Sequence, residues 1–381
     1  MMNNISKREL ELPESFIDKL MALKDKNIIS LGPGEPDFAA PKPLFNGVSK
    51  LAKKANHYSP PGGRPELKEA IIKKLKRDNR IDANPENIVV TCGSQEAIVL
   101  TVLSTVDVAE QIIIPNPSFL GYSPTIELLD VTPVYLPLKE EENFSINTDE
   151  LKKLIDPKTK AIVINTPANP TGTVLTRDVL EEIADIAIEH NLYILSDEAY
   201  ERIIYDKKHI SIASLNGMQN NVITFQTFSK TFAMCGFRLG YCVAPEKLAK
   251  AITKIHVYTT ICAPTISQLL GIKALALNKK YTDAMVCEYK RRRELIVKRL
   301  NDMGLRTIKP DGAFYTFSNI KHLTDNSRKF AERLLKEAKV GVIPGTEFGR
   351  YGEGYIRCSF ATECKLIEKA LDRLEKFVKK F

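Results

Sequence analysis

Short apolar runs in this 381-residue chain are followed at once by polar or charged residues that could do chemistry. The clearest such segments are 93–95, 165–172, 196–200, 227–230 and 236–241. Together they supply a lysine, a carboxylate, an arginine, and several hydroxyl and amide groups. Ligands of parallel sheets bind outside the carboxyl ends of the strands, so we expect these side chains to surround one ligand.

This set matches what one cofactor, pyridoxal phosphate (PLP), requires of a protein. A lysine amine bonds the cofactor aldehyde, a carboxylate pairs with the ring nitrogen, and helix-start N–H groups hold the phosphate. Each segment alone also fits a structural role, since Asn-Pro and Thr-Gly are turn signals and Asp197 could cap a helix. Their occurrence together, on successive strand ends, favours the cofactor.

On these segments the chain resembles the class I and II aminotransferases of PLP fold type I, in their aspartate and aromatic branch, from about residue 28 to the C-terminus. The resemblance implies transfer of an amino group from an L-amino acid to a 2-oxo acid, with 2-oxoglutarate as the expected acceptor, in two half-reactions. It also implies an α/β fold, in which helices cover a mostly parallel sheet, and a smaller α+β domain. We expect the large domain at 43–281 and the smaller one from 1–42 and 282–381.

The resemblance assigns roles at the cofactor ring. Lys230 would bond the cofactor and move the substrate proton, and Asp197 would pair with the pyridine nitrogen. Tyr200 and Asn169 would hold the ring oxygen, while Phe119 would stack on the ring. Core packing is the alternative for Phe119.

Phosphate and substrate contacts follow in the same way. The implied phosphate ligands are Gly93, Ser94, Gln95, Thr227, Ser229, Arg238 and, from the other subunit of a homodimer, Tyr58. Arg357 would grip the substrate α-carboxylate by two parallel hydrogen bonds, with Gly34 and Asn169 also near the substrate. A surface-loop tyrosine is the alternative for Tyr58.

The amino donor stays open between aspartate-like, aromatic and broad specificity. Ser94 stands where some aspartate-specific relatives carry a lysine, which argues against strict aspartate specificity. Arg64 is our candidate partner for a distal carboxylate, and its alternative is a solvated residue before a helix that starts at Pro65.

Two other functions remain as alternatives. A lyase or decarboxylase could use the same scaffold, because side-chain pocket groups decide the fate of the substrate. A PLP-binding transcription sensor would need a DNA-reading domain, and only about 30 residues precede the resemblance.

The elements that would position these residues can be read from hydrophobic periodicity. Buried strands are predicted at 88–91, 111–115, 161–165, 192–196, 222–226 and 240–243, and helices at 95–106 and at 176–190, with Thr176 as N-cap. Two charged helices, at about 281–303 and 364–380, are predicted to flank a strand-like stretch at 305–360. The alternation of predicted strands and helices up to about residue 280 is typical of helices packed on both faces of a parallel sheet.

Composition and charge limit the partners, metal sites and cellular location that we expect. The net charge of +8 is modest, and the basic run Lys290 to Arg293 is flanked by Glu288 and Glu294, so we expect a solvated helix face and no nucleic-acid partner. Seven scattered cysteines without a CxxC pair, and five histidines without an HxxxH pair, predict a cytoplasmic protein with no metal site. A charged N-terminus (Lys7, Arg8, Glu9, Glu11) and no apolar stretch of about 18 residues predict no secretory signal and no membrane span.

Overall fold

The structure is a computed structural model that describes residues 6, 12, 14–22, 25–215 and 217–381. Lys7, Arg8, Glu9 and Glu11, which carry the prediction about a secretory signal, lie outside the described residues. The strands are β1 Ile29–Ser30, β2 Ile88–Thr91, β3 Gln111–Asn116, β4 Thr132–Pro137, β5 Thr159–Asn165, β6 Tyr193–Asp197, β7 Val222–Thr227, β8 Gly240–Val243, β9 Tyr315–Asn319, β10 Val340–Gly341, β11 Ile343–Pro344 and β12 Tyr355–Ser359.

Helices of the described residues pack around these strands. They are α1 Phe16–Met21, α2 Val48–Lys54, α3 Pro65–Lys74, α4 Ser94–Thr105, α5 Tyr122–Leu128, α6 Thr148–Lys153, α7 Arg177–Glu189, α8 Phe228–Thr231, α9 Glu246–Thr259, α10 Thr265–Leu275, α11 Lys280–Asp302, α12 Ser327–Ala338 and α13 Cys364–Val378. In the described part of the chain, no helix is long and apolar enough to cross a membrane.

The central sheet has seven strands in the order β2-β8-β7-β6-β5-β3-β4. All neighbours are parallel except β8, which runs antiparallel to β2 and to β7. Successive residues of β3 face different cores, with Ile113 in one apolar cluster and Ile112 and Ile114 in another. Because both faces are covered, the strands are apolar throughout, and the predicted α/β fold is confirmed.

The six predicted strands are confirmed with small shifts at their ends, but the sequence reading missed β4. Pro133 and Pro137 lie in β4, and a proline cannot donate to a strand ladder. The sheet tolerates them because β4 is an edge strand.

The prediction of a strand-like stretch at 305–360 was wrong in part, because α12 interrupts it. Phe330, Ala331 and Leu334 are buried at helical spacing, and the Asn326 side chain caps the helix by accepting from the N–H of Lys329 at 2.8 Å. The predicted cap at Thr176 is confirmed, since its hydroxyl oxygen accepts from the N–H of Val179.

A three-stranded antiparallel sheet, β11-β12-β9, carries Arg357 on its central strand. The N-terminal strand β1 pairs in parallel with β10, and the N–H of Ser359 donates to the carbonyl of Leu31 at 2.7 Å. These contacts attach the N-terminal segment to the C-terminal region. The domain boundaries at residues 43 and 281 stay a prediction.

Candidate active site

A cavity of about 230 Å³ opens at the carboxyl ends of β5, β6 and β7. Every predicted site residue except Gly93 and Tyr58 lines it. The cavity is also lined by three residues outside the segments singled out from the sequence, namely Ile17, Leu120 and Tyr315. The topology explains the convergence, because parallel strands bring their carboxyl ends to one edge.

Lys230 enters the cavity from α8, a single helical turn that begins directly after β7. The side chain of Thr227 caps this turn by accepting from the N–H of Ser229 at 3.1 Å. The half-buried ammonium of Lys230 donates to the carbonyl oxygen of Gly34 at 2.6 Å and lies 5.9 Å from the ring centre of Tyr200. The amine is therefore held at the wall of the cavity by one backbone group.

Asp197 ends β6 and is only 5% exposed. Its Oδ2 atom accepts from the hydroxyl of Tyr122 at 2.6 Å and its Oδ1 atom accepts from the N–H of Ala199 at 3.0 Å. Burial raises the pKa of Asp197, while these hydrogen bonds and the charge of Lys230 act in the opposite direction. The carboxylate is thus a buried negative group that a cationic partner would stabilise.

Tyr122 is a site residue that the sequence reading missed. Its ring packs edge-on against Phe119 with centroids 5.4 Å apart, so Tyr122 connects the Phe119 ring to the carboxylate of Asp197. The signal available was spacing alone, since Tyr122 follows Phe119 by three residues at the start of α5.

A cradle for an anion is built where α4 begins. Its N-cap is Gly93, at φ +86°, and a Cβ there would come within 2.6 Å of the Arg238 guanidinium. A Cβ on Gly240 would meet the backbone of Gly93 and Ser94 at 2.6 to 2.7 Å. Two glycines thus allow β8, the start of α4 and an exposed arginine to approach closely, at a helix end that favours negative charge.

Arg357 is 1% exposed, yet among the described residues it has no carboxylate partner. One Nη atom donates to Oδ1 of Asn169 at 3.0 Å and the other to the carbonyl of Gly32 at 2.5 Å, while Nε has no hydrogen-bond partner. Burial lowers the pKa of this guanidinium. An uncompensated buried cation facing a cavity is suited to an anionic ligand.

Tyr315, on β9, lines the cavity beside Arg357 and was also not predicted from the sequence. Its hydroxyl lies 2.7 Å from the hydroxyl of Tyr200, and its ring lies 4.3 Å from the guanidinium carbon of Arg357. A Cβ on Gly34 would come within 2.5 Å of the Tyr315 hydroxyl. The glycine at position 34 is therefore required by Tyr315, a reason that local sequence did not contain.

Two predicted residues lie away from this cavity. Tyr58 is 80% exposed, and the side chain of Arg64 pairs with Glu66 at 3.2 Å. Within one chain neither reaches the cavity. The helix start predicted at Pro65 is confirmed.

Comparison with known proteins identifies the family. A family model described as "Aminotransferase class I and II" matches residues 26–374. The chain belongs to this family.

Individual relatives agree with the family match. The chain is 47% identical to an aspartate aminotransferase of Pyrococcus abyssi, over 93% of this chain and 92% of the relative. It is also 47% identical to aromatic-amino-acid aminotransferase 2 of Thermococcus litoralis, over 96% of each chain. The crystal structure of an aromatic aminotransferase from Pyrococcus horikoshii superposes with a TM-score of 0.91, at 45% identity, over 95% of this chain and 98% of that one.

This aminotransferase is a PLP-dependent enzyme that transfers amino groups, and the lyase or decarboxylase alternative is not favoured. The cavity fits the cofactor: it offers a lysine amine, a buried carboxylate, and a cradle of glycine backbone and arginine suited to a phosphate. The Nε atom of Arg357 has no hydrogen-bond partner, so it is available to donate to a substrate carboxylate.

Proposed function

We propose that the cavity at the ends of β5, β6 and β7 is where this aminotransferase holds PLP and its substrates. The observation that carries the proposal is the convergence of Lys230, Asp197 and Arg357 on one cavity. Bound PLP supplies an electron sink that weakens the substrate Cα–H bond. In our proposal Asp197 would pair with the ring nitrogen, and the Nζ atom of Lys230 would bond the cofactor until the substrate amine replaces it. The released amine of Lys230 would then move the Cα proton.

The remaining contacts orient cofactor and substrate. Tyr200 and Asn169 would hold the ring oxygen and Phe119 would stack on the ring. The phosphate would be held by the N–H groups of Ser94 and Gln95 and by the side chains of Thr227, Ser229 and Arg238. The N–H of Gly93 already donates to the carbonyl of Thr91 at 2.8 Å, so the contribution of Gly93 would be the close approach that it allows. The hydrogen bond between the Thr227 and Ser229 hydroxyls, at 3.0 Å, supports a shared role for this pair.

Reduction of the holoenzyme with borohydride, followed by peptide mapping, tests the assignment. The pyridoxyl group is expected on Lys230, because Lys230 is the only lysine among the residues that line the described cavity. A pyridoxyl group on any other lysine contradicts the proposal.

For the amino donor we propose aromatic and other apolar amino acids ahead of aspartate. Besides the groups that hold cofactor and α-carboxylate, the described cavity wall presents Ile17, Leu120 and Tyr315. Its cations are Lys230, Arg238 and Arg357, and each already has a proposed task. An apolar wall favours an apolar side chain, whereas a distal carboxylate would need a further cation.

We propose 2-oxoglutarate as acceptor, with Arg64 of the second subunit pairing its distal carboxylate. Arg64→Ala should then lower activity with glutamate and aspartate and leave phenylalanine and leucine unchanged. Half-reactions followed one donor at a time measure this. Equal loss with all donors, or no loss, would exclude Arg64.

The active unit in our proposal is a homodimer in which Tyr58 reaches the phosphate of the other subunit. Tyr58 and Tyr258 are 80% and 84% exposed. Such exposure is unusual for aromatic side chains and supports our proposal that a second subunit covers them. Mixing Tyr58→Ala with Lys230→Ala subunits tests this, because a hybrid dimer regains one site with both residues. A fully active monomer in sedimentation would rule it out.

We also propose that the enzyme works in the cytoplasm, because all seven cysteines are free. Cell fractionation with an antibody against the chain tests the location.

We propose residues 43–281 as the large cofactor domain, and we propose that the remaining segments close on it when substrate binds. Limited proteolysis with and without substrate tests that division.

A further inference from the structure

A buried polar cluster lies directly behind the turn that carries Asp197 and Tyr200. We define it by six residues: Lys74, Asn79, Glu198, Glu201, His209 and Gln226. Their side chains come from α3 and the turn after it, from the end of β6, from β7 and from the segment at 209. All six are nearly or fully buried.

Glu198 is the centre of the cluster and is 0% exposed. Its Oε2 atom accepts three N–H donors and its Oε1 atom accepts two hydroxyls. The donors are the side chains of Asn79, His209, Gln226, Ser196 and Ser211, at 2.6 to 3.3 Å.

Glu201 is bound in the same way. One of its oxygens pairs with the ammonium of Lys74. The other accepts from Asn79 at 2.6 Å and from Gln226 at 3.0 Å. Two carboxylates and a histidine lie close enough to suggest a metal site, but every carboxylate oxygen already accepts an N–H or O–H group and Lys74 supplies a cation. The cluster is therefore an internal ion-pair network.

The charges of the cluster balance only when His209 is protonated, with two carboxylates against one ammonium and one imidazolium. The charged groups that face His209 are Glu198, Glu201 and Lys74. Burial lowers the pKa of His209, but the charge of Glu198, its hydrogen bond to the ring and the charge of Glu201 together outweigh burial, and the pKa is raised above its usual value. Burial also raises the pKa of Asp197, and the charge of Glu198 adds to this.

The cluster is tied by backbone to both strands that carry the chemistry. The N–H of Glu198, the residue after Asp197, donates to the carbonyl of Phe225 on β7 at 3.1 Å. Gln226 lies four residues before Lys230, and its side-chain amide donates to both Glu198 and Glu201. One hydrogen-bond network therefore fixes the Asp197 turn against the strand that leads to Lys230.

We propose that Glu198 and His209 are positioning residues that hold Asp197 in place and set the electrostatic potential at the bound cofactor. Protonated His209 cancels a negative charge that would otherwise act on the cavity from behind. This inference rests on the proposed function, since it takes Asp197 and Lys230 as the groups at the cofactor.

The test is a pH titration of the visible absorbance of the PLP-loaded enzyme. His209→Gln keeps an N–H donor but removes the positive charge, so the cationic form of the chromophore is favoured and its apparent pKa should rise. Glu198→Gln removes a negative charge, while the charge of Glu201 still favours protonated His209, so that pKa should fall. A unit charge about 10 Å away at an effective dielectric of about 20 changes a pKa by about one unit.

Two variants of exposed residues, His190→Gln and Glu189→Gln, make the same chemical changes away from the site and should leave the titration unmoved. NMR of the His209 ring in the wild-type protein reports its charge over the same pH range. Where His209→Gln does not fold, His209→Asn takes its place.

Opposite shifts in the two variants support the inference. Shifts in the same direction, no shift, or a neutral His209 ring throughout the titration overturn it. Failure of the proposed function looks different, because the wild-type protein would then carry its pyridoxyl group on a lysine other than Lys230 after borohydride reduction.

Discussion

The turn from Asp197 to Glu201 separates two regions that use their polar groups differently. On the cavity side, Lys230 donates to a single carbonyl, and Arg357 keeps an unpartnered Nε and has no carboxylate partner among the described residues. On the cluster side, every carboxylate oxygen of Glu198 and Glu201 is paired, and only Nδ1 of His209 is left without a partner.

This difference indicates that the cavity groups serve ligand binding and that the cluster groups stabilise the fold. Groups with spare capacity at a cavity can exchange their partners for a ligand, so their removal should cost activity. A buried network whose carboxylates are all paired is organised to satisfy its own members, so removal of one member leaves the others uncompensated and should cost stability.

The largest expected effect is on the cavity side. Lys230→Ala should lower the rate of the transamination half-reaction by about 10⁴-fold or more, because the bond to the cofactor and the proton carrier are lost together. Thermal unfolding of the cofactor-free protein should change little. Lys247→Ala, at an exposed lysine, is the control and should match the wild type in both measurements.

In the cluster, by contrast, substitutions should lower the stability of the protein. Lys74→Ala leaves Glu201 buried without its cation, and such a loss costs about 3 to 5 kcal/mol. Urea unfolding of the cofactor-free protein at one fixed protein concentration measures it. Lys76→Ala, two residues along and 78% exposed, should cost less than about 1 kcal/mol. An unchanged unfolding free energy in Lys74→Ala would remove the contrast between the two regions.

Arg357→Ala should lower kcat/KM by about 100-fold, which corresponds to about 2.7 kcal/mol. Every amino donor should be affected, because all share the α-carboxylate. Arg357→Lys should recover part of the loss, since one ammonium cannot make two parallel hydrogen bonds. A loss confined to dicarboxylic donors would move Arg357 from the α-carboxylate to the side-chain pocket.

The smallest effect concerns pH. The folded pKa of His209 is raised, so its contribution to stability is present below its ordinary pKa of about 6.5 and is lost as the pH rises through the folded value. The unfolding free energy of the wild type should therefore fall over this range, and that of His209→Gln should fall less. Parallel curves would mean that His209 carries no charge in the folded cluster.

Much of the fold was predictable because it depends on local pattern. The runs Ile88–Thr91 and Val222–Thr227 are short, apolar and rich in β-branched residues, and both form buried strands. The edge strand β4 was hidden by its prolines, and α12 by the glycine-rich sequence around it. These errors arise where tertiary position, at an edge or between strands, overrides local preference.

By itself the sequence determined which chemical groups follow the strands of the parallel sheet. Lys230, Asp197 and Asn169 each lie within a few residues of a strand end, and strand ends meet at one edge, so chain order was enough to predict that they converge.

Only the tertiary structure decided which groups those residues would meet. Tyr122 reaches Asp197 across 75 residues, and Tyr315 reaches Tyr200 across 115. The cluster pairs Asn79 with Glu201 across 122. Such contacts depend on how α3, β6 and β9 pack in three dimensions, and a periodic pattern along one chain contains no record of that packing.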